Sequence, residues 1–376
     1  MTRNALNVAL LAVALACALT PSTIRAADPV KPKIEKDLAW YDVTTWGVEG
    51  KGFTDTQRYF DRLPSRAESS VRSAVWSLSR DSAGMVAHFQ TDAATIHVRY
   101  TLFKDRLDMP HMPATGVSGL DLYAQDDDGQ YRWLNVVKPT QQTVHQQLVS
   151  GLAPGRRQYM LYLPLYNGVE SLEIGVPKEA GFTPISPRKE KPIVFYGTSI
   201  MHGACASRPG MSITAIVGRR LNRPVINLGF SGNGKMEKNV GDFLVELDPA
   251  VYVIDCLPNM NGSDVAQNTE PLVRQLRQAR PDAPILLVED RTYTNARFLP
   301  SSRQRHQTSR AALKAAYEAL VADGVKHLYY LEGDILLGAD GEAATDGSHP
   351  NDLGMMRYAD AYENALRPIL AKSEPQ

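Results

Sequence analysis

Pro192-Ile-Val-Phe-Tyr-Gly-Thr-Ser-Ile200 is the stretch that indicates how this chain of 376 residues folds. Its apolar, β-branched and aromatic residues are typical of a buried strand in a parallel sheet. A glycine and two hydroxyl residues end the run, where we expect the chain to turn into a helix. Ligands of open α/β sheets bind at the carboxyl ends of the strands, so Ser199 lies where chemistry usually occurs. The alternative is that Ser199 only caps the next helix, because serine is a favoured N-cap residue.

Apolar strands alternate five times with helical patterns from residue 192 onward. The predicted strands are 193–196, 224–228, 250–255, 284–288 and 326–331. The predicted helices lie near 211–221, 236–246, 269–279, 305–322 and 353–370. This order predicts an α/β fold with a doubly wound, five-stranded parallel sheet and helices on both faces.

Residues 38–185 show instead the period of two that marks half-buried strands. In the clearest example, Ile96, Val98, Tyr100 and Leu102 alternate with His97 and other polar residues. Turn sequences separate these short strands, and no amphipathic stretch of helical length interrupts them. The front half is therefore predicted to be an all-β sandwich or jelly roll that precedes the α/β domain.

Two features of this β-rich half can be interpreted in more than one way. Its tryptophans either stack on sugars or fill and edge the core, and we favour packing. They are Trp40, Trp46, Trp76 and Trp133. The loop Met109–Pro113 is unusually apolar, and we expect it to pack against the other domain.

The chain divides into three predicted segments: a signal peptide over 1–27, a β-domain over 28–188 and an α/β domain over 189–376. Arg3, the apolar run from residue 5 to residue 19 and the small residues that follow are typical of a secretory signal cleaved near Ala26. No later stretch is apolar enough to span a membrane. We therefore expect a periplasmic or secreted protein.

The charge of the chain argues against polyanionic partners. The sequence has 41 basic and 41 acidic residues, and removal of Arg3 and Arg25 leaves a net charge of −2. Such a chain has no electrostatic footprint for nucleic acid or an anionic membrane. Cys205 and Cys256 remain after cleavage; an oxidising compartment permits a disulfide between them, but two buried free thiols are the interpretation we favour.

A serine hydroxyl becomes a good nucleophile when a base takes its proton. His349 is the best candidate for that base, and Asp346, three residues before it, can orient the imidazole. Acyl transfer also needs donors for the developing oxyanion. The N–H groups of Ser199 and Gly232 and the side-chain amide of Asn259 can supply them. All five residues follow predicted strands, so we expect them at one edge of the sheet.

These residues resemble the signature of the SGNH hydrolases, the GDSL-like esterase family, over about residues 192–370. The four signature positions correspond to Ser199, Gly232, Asn259 and His349, and Asp346 completes the triad. Thr198 stands where the family usually has aspartate, and Met260 stands where an aspartate usually follows the asparagine. The second change removes no oxyanion donor but alters the support of that loop.

Gly119-Leu-Asp-Leu-Tyr123 is similar to the Gly-x-Asp-Leu-Tyr signature of a β-domain that precedes some bacterial SGNH hydrolases. The resemblance implies a secreted serine esterase that forms an acyl-enzyme on Ser199. By analogy with carbohydrate O-acetyl esterases, it implies short-chain, acetyl esters of carbohydrates as substrates. A lipid esterase or thioesterase with the same triad is the alternative. A glycan-binding module with a vestigial hydrolase domain is a third interpretation, which the intact signature residues disfavour.

Other polar side chains are alternatives for parts of the same chemistry. His202 is a rival base by proximity in sequence, although we expect it to point elsewhere or to line the pocket. The segment Glu289–Tyr293 either binds substrate hydroxyls or pairs its charges internally. The remaining histidines have no comparable partner, and we interpret them as structural or exposed: His88, His97, His111, His145, His306 and His327.

The sequence implies no cofactor and no metal. The histidines, cysteines and acidic residues show no recognised ligand spacing. No Gly-x-Gly-x-x-Gly follows the first strand of the α/β half, so no dinucleotide fingerprint is present. An ordinary α/β-hydrolase is disfavoured because the residues around Ser199 lack the second glycine of a nucleophile elbow.

Overall fold

The computed structural model describes residues 27–373, so the predicted signal peptide up to its cleavage site near Ala26 lies outside the described residues. The front half forms two antiparallel five-stranded sheets, in the orders β1-β2-β9-β4-β7 and β10-β3-β8-β5-β6. The strands are β1 (Lys33–Glu35), β2 (Leu38–Asp42), β3 (Val86–Thr91), β4 (Thr95–Leu102), β5 (Asp121–Gln125), β6 (Tyr131–Val136), β7 (Thr143–Ser150), β8 (Arg157–Tyr162), β9 (Val169–Pro177) and β10 (Phe182–Ile185).

Both sheets bury their inner faces in one shared core. Ile96, Val98 and Leu102 of β4 are fully buried there, together with Phe89 of the other sheet. The predicted period of two in β4 is confirmed, because its residues alternate strictly between buried and partly exposed positions. These strands form the β-domain, a two-sheet sandwich.

The back half forms a parallel five-stranded sheet in the order β12-β11-β13-β14-β15. Its strands are β11 (Ile193–Gly197), β12 (Val225–Gly229), β13 (Val251–Asp255), β14 (Ile285–Val288) and β15 (Leu328–Leu331). Ile193 and Phe195 face one apolar core, whereas Val194 and Tyr196 face another. Helices cover both faces, so the predicted doubly wound α/β fold is confirmed. We call this half the parallel-sheet domain.

The helices are α1 (Ser73–Ser79), α2 (Ala114–Val117), α3 (Ser199–His202), α4 (Ile213–Arg220), α5 (Lys238–Leu244), α6 (Gly262–Ala279), α7 (Pro300–Ala322) and α8 (Asp352–Ser373). Helix α6 begins seven residues before the predicted 269. Its start is set by a capping box, in which Asn261 and Asp264 each accept the other's backbone N–H. Within the described residues, no helix is long and apolar enough to cross a membrane.

The strand-like interpretation of residues 38–185 is wrong for the segment between β2 and β3. That segment forms short 3-10 turns and helix α1, and only part of its apolar side chains, such as Trp46 and Phe60, belong to the core of the sandwich. Phe53, Leu63 and Trp76 pack instead into one of the two cores of the parallel-sheet domain, beside Phe243 and Leu244. These apolar residues are spaced to match the surface of the parallel-sheet domain that they cover. The sequence of the segment therefore shows no regular hydrophobic period.

The Gly-x-Asp-Leu-Tyr motif joins the two domains. Its carboxylate, Asp121, is fully buried and accepts from Arg208 Nη1 at 3.0 Å, from the Gly210 N–H at 2.8 Å and from Trp133 Nε1 at 2.9 Å. Tyr123 Oη also accepts from the Arg208 guanidinium. Two of the donors belong to the segment that follows helix α3, so this carboxylate fixes the parallel-sheet domain against the β-domain.

We expect Asp121→Ala to lower the free energy of unfolding by about 3 kcal/mol, because the change leaves the Arg208 guanidinium, the buried Gly210 N–H and the Trp133 ring N–H without their acceptor. Asp127→Ala, on an exposed turn of the same sheet, serves as the matched control and should change stability by less than about 0.5 kcal/mol. Urea denaturation followed by tryptophan fluorescence measures both. Equal effects of the two substitutions would contradict the joining role of Asp121.

Candidate active site

Ser199 follows the carboxyl end of the central strand β11. Gly197, the last residue of β11, pairs with Gly229 of β12 on one side and with Asp255 of β13 on the other. The chain reverses its direction across the sheet at β11, which is where open α/β sheets place their sites. Thr198 caps helix α3, since its Oγ1 accepts the Ile200 N–H at 3.3 Å. The capping alternative for Ser199 is therefore wrong, and its hydroxyl is available for other contacts.

Ser199 Oγ lies 2.8 Å from His349 Nε2, and His349 Nδ1 lies 2.7 Å from Asp346 Oδ2. Ser199 is 6% exposed, whereas His349 and Asp346 lie nearer the solvent. The arrangement is that of a hydrogen-bonded hydroxyl, base and orienting carboxylate. The structure thus brings together the three residues that the sequence analysis selected.

The turn that carries His349 is organised around the carboxylate of Asp346. Asp346 Oδ1 accepts the backbone N–H groups of Ser348 at 3.0 Å and His349 at 2.8 Å. Partial burial raises the pKa of Asp346, but its hydrogen bonds with the His349 backbone and ring outweigh this and lower that pKa below 3.8. The carboxylate therefore stays ionised at neutral pH, as the orienting role requires.

The predicted oxyanion donors follow the carboxyl ends of three neighbouring strands: Ser199 after β11, Gly232 after β12 and Asn259 after β13. Neither the Ser199 N–H nor the Gly232 N–H donates a hydrogen bond to any other residue within 27–373. Gly232 has φ +68°, which disfavours a side chain, and a Cβ there would point into open space. The amide of Asn259 is assigned by its neighbours, with its oxygen accepting from the N–H groups of Asn233 at 3.0 Å and Gly234 at 3.2 Å. Its NH₂ group is then free to donate elsewhere.

Arg291 holds the turn of His349 in place through hydrogen bonds to Ser348. It is 1% exposed, and its Nε donates to the Ser348 carbonyl at 3.2 Å while another guanidinium nitrogen donates to Ser348 Oγ. Asp290 pairs with the same guanidinium. Glu289 accepts from Tyr330 Oη at 2.6 Å and from a backbone N–H. Internal pairing, one of the two interpretations of the Glu289–Tyr293 segment, thus holds for Asp290 and Arg291, whereas Glu289 pairs with residues outside the segment.

His202 is excluded as the base by its surroundings. It is fully buried, its ring stacks on Tyr166 at 4.1 Å, and its Nε2 lies 3.3 Å from an Arg62 nitrogen. Burial and the nearby Arg62 cation lower the pKa of His202 well below 6.5, so the ring is neutral. Arg62 itself reaches from the β-domain half to the end of β12, where it donates to the Gly229 carbonyl at 2.8 Å.

Asp255 is a buried carboxylate at the end of β13, where it pairs in register with Gly197. It accepts from Tyr362 Oη at 2.6 Å, while its other oxygen has no hydrogen-bond partner among the described residues. Its pKa is raised to about 7, chiefly by burial and also by the nearby Asp290 carboxylate, although the Tyr362 hydrogen bond and the Arg291 cation oppose the rise. A carboxyl group that titrates near neutral pH thus lies at the end of the strand next to β11.

The β-domain also reaches the site, which the sequence analysis did not predict. The ring of His111 lies 6.0 Å from the ring of His349, measured between centroids. His111 belongs to the apolar loop Met109–Pro113, and the expectation that this loop packs against the other domain holds for Met112, which is buried in a core of that domain. The unusually apolar sequence of this loop was the signal that could have placed His111 next to the other domain.

The remaining predicted groups lie as follows. Trp40, Trp46 and Trp76 are buried, whereas Trp133 is 48% exposed. Cys205 and Cys256 are both buried and free, which matches the interpretation favoured for them. Over residues 27–373, no group of three or more His, Cys, Asp or Glu side chains is placed to hold a metal ion.

Comparison with known proteins identifies the class. Residues 190–367 match the GDSL-like lipase/acylhydrolase family, and residues 38–182 match the N-terminal Gly-x-Asp-Leu-Tyr domain of SGNH-hydrolase-type esterases. A GDSL-like lipase of Bacteroides ovatus with a solved structure is 34% identical, with a TM-score of 0.85 over 89% of this chain and 98% of its own. The chain belongs to the GDSL-like lipase/acylhydrolase family and is an ester-hydrolysing serine hydrolase.

More distant solved structures share the fold. The salicylyl-acyltransferase SsfX3 is 18% identical, with a TM-score of 0.64 over 94% of this chain and 96% of its own. A family two carbohydrate esterase from Cellvibrio japonicus is 13% identical, with a TM-score of 0.57 over 90% of this chain and 99% of its own. No curated protein matches the chain.

We expect the stability of the protein to depend on pH through Asp255. Its pKa is about 7 in the folded chain against an ordinary 3.8, so the folded state retains a proton that the unfolded state releases. The contribution of Asp255 to the free energy of unfolding is therefore fully present below about pH 4 and is lost as the pH rises through about 7. Asp255→Asn, which cannot ionise, should lose less stability than the wild type between pH 5 and pH 8, measured by urea denaturation. A difference between the two proteins that does not change with pH would contradict the assignment.

Proposed function

We propose that this protein is a secreted serine esterase that removes short acyl groups, chiefly acetyl, from carbohydrate esters through an acyl-enzyme on Ser199. The observation that carries the proposal is the chain of contacts at 2.8 Å and 2.7 Å from Ser199 through His349 to Asp346. This arrangement supplies a nucleophile, a base and an orienting carboxylate in hydrogen-bonding geometry.

In the proposed reaction, Ser199 Oγ attacks the ester carbonyl carbon while His349 Nε2 takes its proton. The negative charge on the former carbonyl oxygen is stabilised by the free N–H groups of Ser199 and Gly232 and by the Asn259 amide. The carbon–oxygen bond to the alcohol then breaks, and His349 returns the proton to the leaving oxygen. A water molecule, deprotonated by His349, attacks the acyl-enzyme and releases the acid and the free serine.

The choice of carbohydrate esters rests on architecture and on the polarity of the site. A family two carbohydrate esterase from Clostridium thermocellum, solved with cellohexaose, shares the fold at a TM-score of 0.54 and 16% identity. Side chains that can hydrogen-bond to hydroxyl groups flank the triad: His111 stands beside His349, and the Asn295 amide would lie 2.5 Å from a Cβ placed on Gly347. The side chains of His111 and Asn295 therefore favour a substrate whose alcohol part carries further hydroxyl groups.

One observation favours the alternative, a lipid esterase or thioesterase. Phe298 and Leu299 are exposed, Phe298 to 81%, on the loop that follows Thr294. The Thr294 N–H donates to the Gly347 carbonyl at 3.1 Å, so this loop runs alongside the turn of His349. Two exposed apolar side chains in that position can contact a long acyl chain.

Ser199→Ala should lower the rate of p-nitrophenyl acetate hydrolysis by at least about a thousandfold, because among residues 27–373 no other side-chain hydroxyl is hydrogen-bonded to His349. His349→Ala should cost a similar factor, since members of a triad act as a unit. Ser301→Ala, an exposed serine at the start of α7, is the matched control and should retain full activity. Circular dichroism and thermal unfolding check that each variant folds. Activity retained by a folded Ser199→Ala protein would contradict the assignment of the nucleophile.

A substrate series separates the two proposals. With p-nitrophenyl esters from acetyl to octanoyl, a carbohydrate deacetylase should lose kcat/KM as the acyl chain lengthens and should release acetate from acetylated oligosaccharides. A lipid esterase should prefer the longer chains, and Phe298→Ser should reduce that preference. Binding of unmodified glycans without any turnover would favour the vestigial module instead.

A further inference from the structure

The loop Met109–Pro113 forms a tight hairpin that carries His111 at its tip. The backbone N–H groups of Met109 and Met112 each donate to the other's carbonyl at 3.0 Å, which leaves Pro110 and His111 as the two turn residues. A closed turn of this kind has little conformational freedom. The position of His111 is therefore defined by the residues that anchor the hairpin.

The hairpin is anchored in the parallel-sheet domain. Met112 is 2% exposed and packs in the same core as Ile200 and Met201 of helix α3, directly behind the nucleophile. Gly116 lies so close to the next segment that a Cβ would come within 2.3 Å of the Ala206 carbonyl oxygen. The β-domain thus holds this hairpin tightly against the helix that begins with Ser199.

The tip of the hairpin lies beside His349, the residue that must protonate the leaving alcohol in the proposed reaction. His349 must protonate the leaving oxygen, so that oxygen lies within hydrogen-bonding distance of Nε2 when the ester bond breaks. The His111 ring is exposed and its centroid is 6.0 Å from that of His349. Hydroxyl groups on carbons next to the ester oxygen fall within reach of an imidazole at this distance, which offers both a donor and an acceptor.

We propose that His111 is a specificity-determining residue that binds the alcohol part of the ester by hydrogen bonding to its neighbouring hydroxyl groups. This inference rests on the proposed function, because it takes Ser199 and His349 as nucleophile and base. It assigns the β-domain a direct role: one domain supplies the reacting groups, and the other selects the alcohol. The recognised chemistry is a polyhydroxylated alcohol, as in a sugar.

The test varies the two halves of the ester separately in the wild type and in His111→Ala. The alcohol series consists of acetates of ethanol, glycerol and glucose, and the acyl series consists of p-nitrophenyl esters from acetyl to octanoyl. The ratio of wild-type to variant kcat/KM should rise along the alcohol series to about tenfold with the sugar ester, the effect of a hydrogen bond worth about 1.4 kcal/mol. The rise should appear chiefly in KM. The ratio should stay constant along the acyl series.

Two further variants test whether the effect depends on hydrogen bonding by the side chain at position 111. His111→Asn retains a donor and an acceptor and should recover part of the lost kcat/KM with the sugar ester. His145→Ala removes another exposed histidine of the β-domain, on strand β7, and should leave both series unchanged. A ratio that is equal for all alcohols, or one that changes with acyl length, would overturn the role of His111. Failure of the proposed function is separate, since it would appear as a wild-type preference for long acyl chains.

Discussion

The hydrogen bond between Ser199 Oγ and His349 Nε2 joins two residues 150 positions apart, and much of the structure serves to maintain that distance. The serine is placed by the end of β11 and by Thr198, which caps its helix. The histidine is placed by the Asp346 turn and by the buried guanidinium of Arg291. The carboxyl ends of parallel strands lie at one edge of the sheet. Residues that follow different strands, and are far apart in the sequence, therefore lie close together there.

The second constraint is that the two domains are locked together around this site. Asp121 fixes the segment after α3, and Arg62 donates to the end of β12. Both side chains are almost completely buried charges, and each is surrounded by hydrogen-bond partners, as burial of a charge requires. The β-domain is therefore part of the site's framework, and through His111 it also reaches the mouth of the site.

Sequence reasoning succeeded where the pattern is local. The period of two in β4, the five alternations of strand and helix, and the contact of Asp346 with His349 three residues later are all visible as short-range patterns. It failed for the segment between β2 and β3, because the burial of Phe53 and Trp76 is decided by the surface of another domain. It also left His111 without a partner, since that partner, His349, lies more than two hundred residues further along the chain.

By itself, the sequence determined the fold class, the order of the elements, the family resemblance and which residue types can carry out acyl transfer. Those properties follow from local periodicity and from the chemistry of side chains at strand ends. Only the tertiary structure decided that Thr198 rather than Ser199 caps the helix, that His202 is a neutral buried ring, and that His111 borders the site. Each of these depends on contacts across the domain boundary or on exact backbone geometry, which no pattern within one segment encodes.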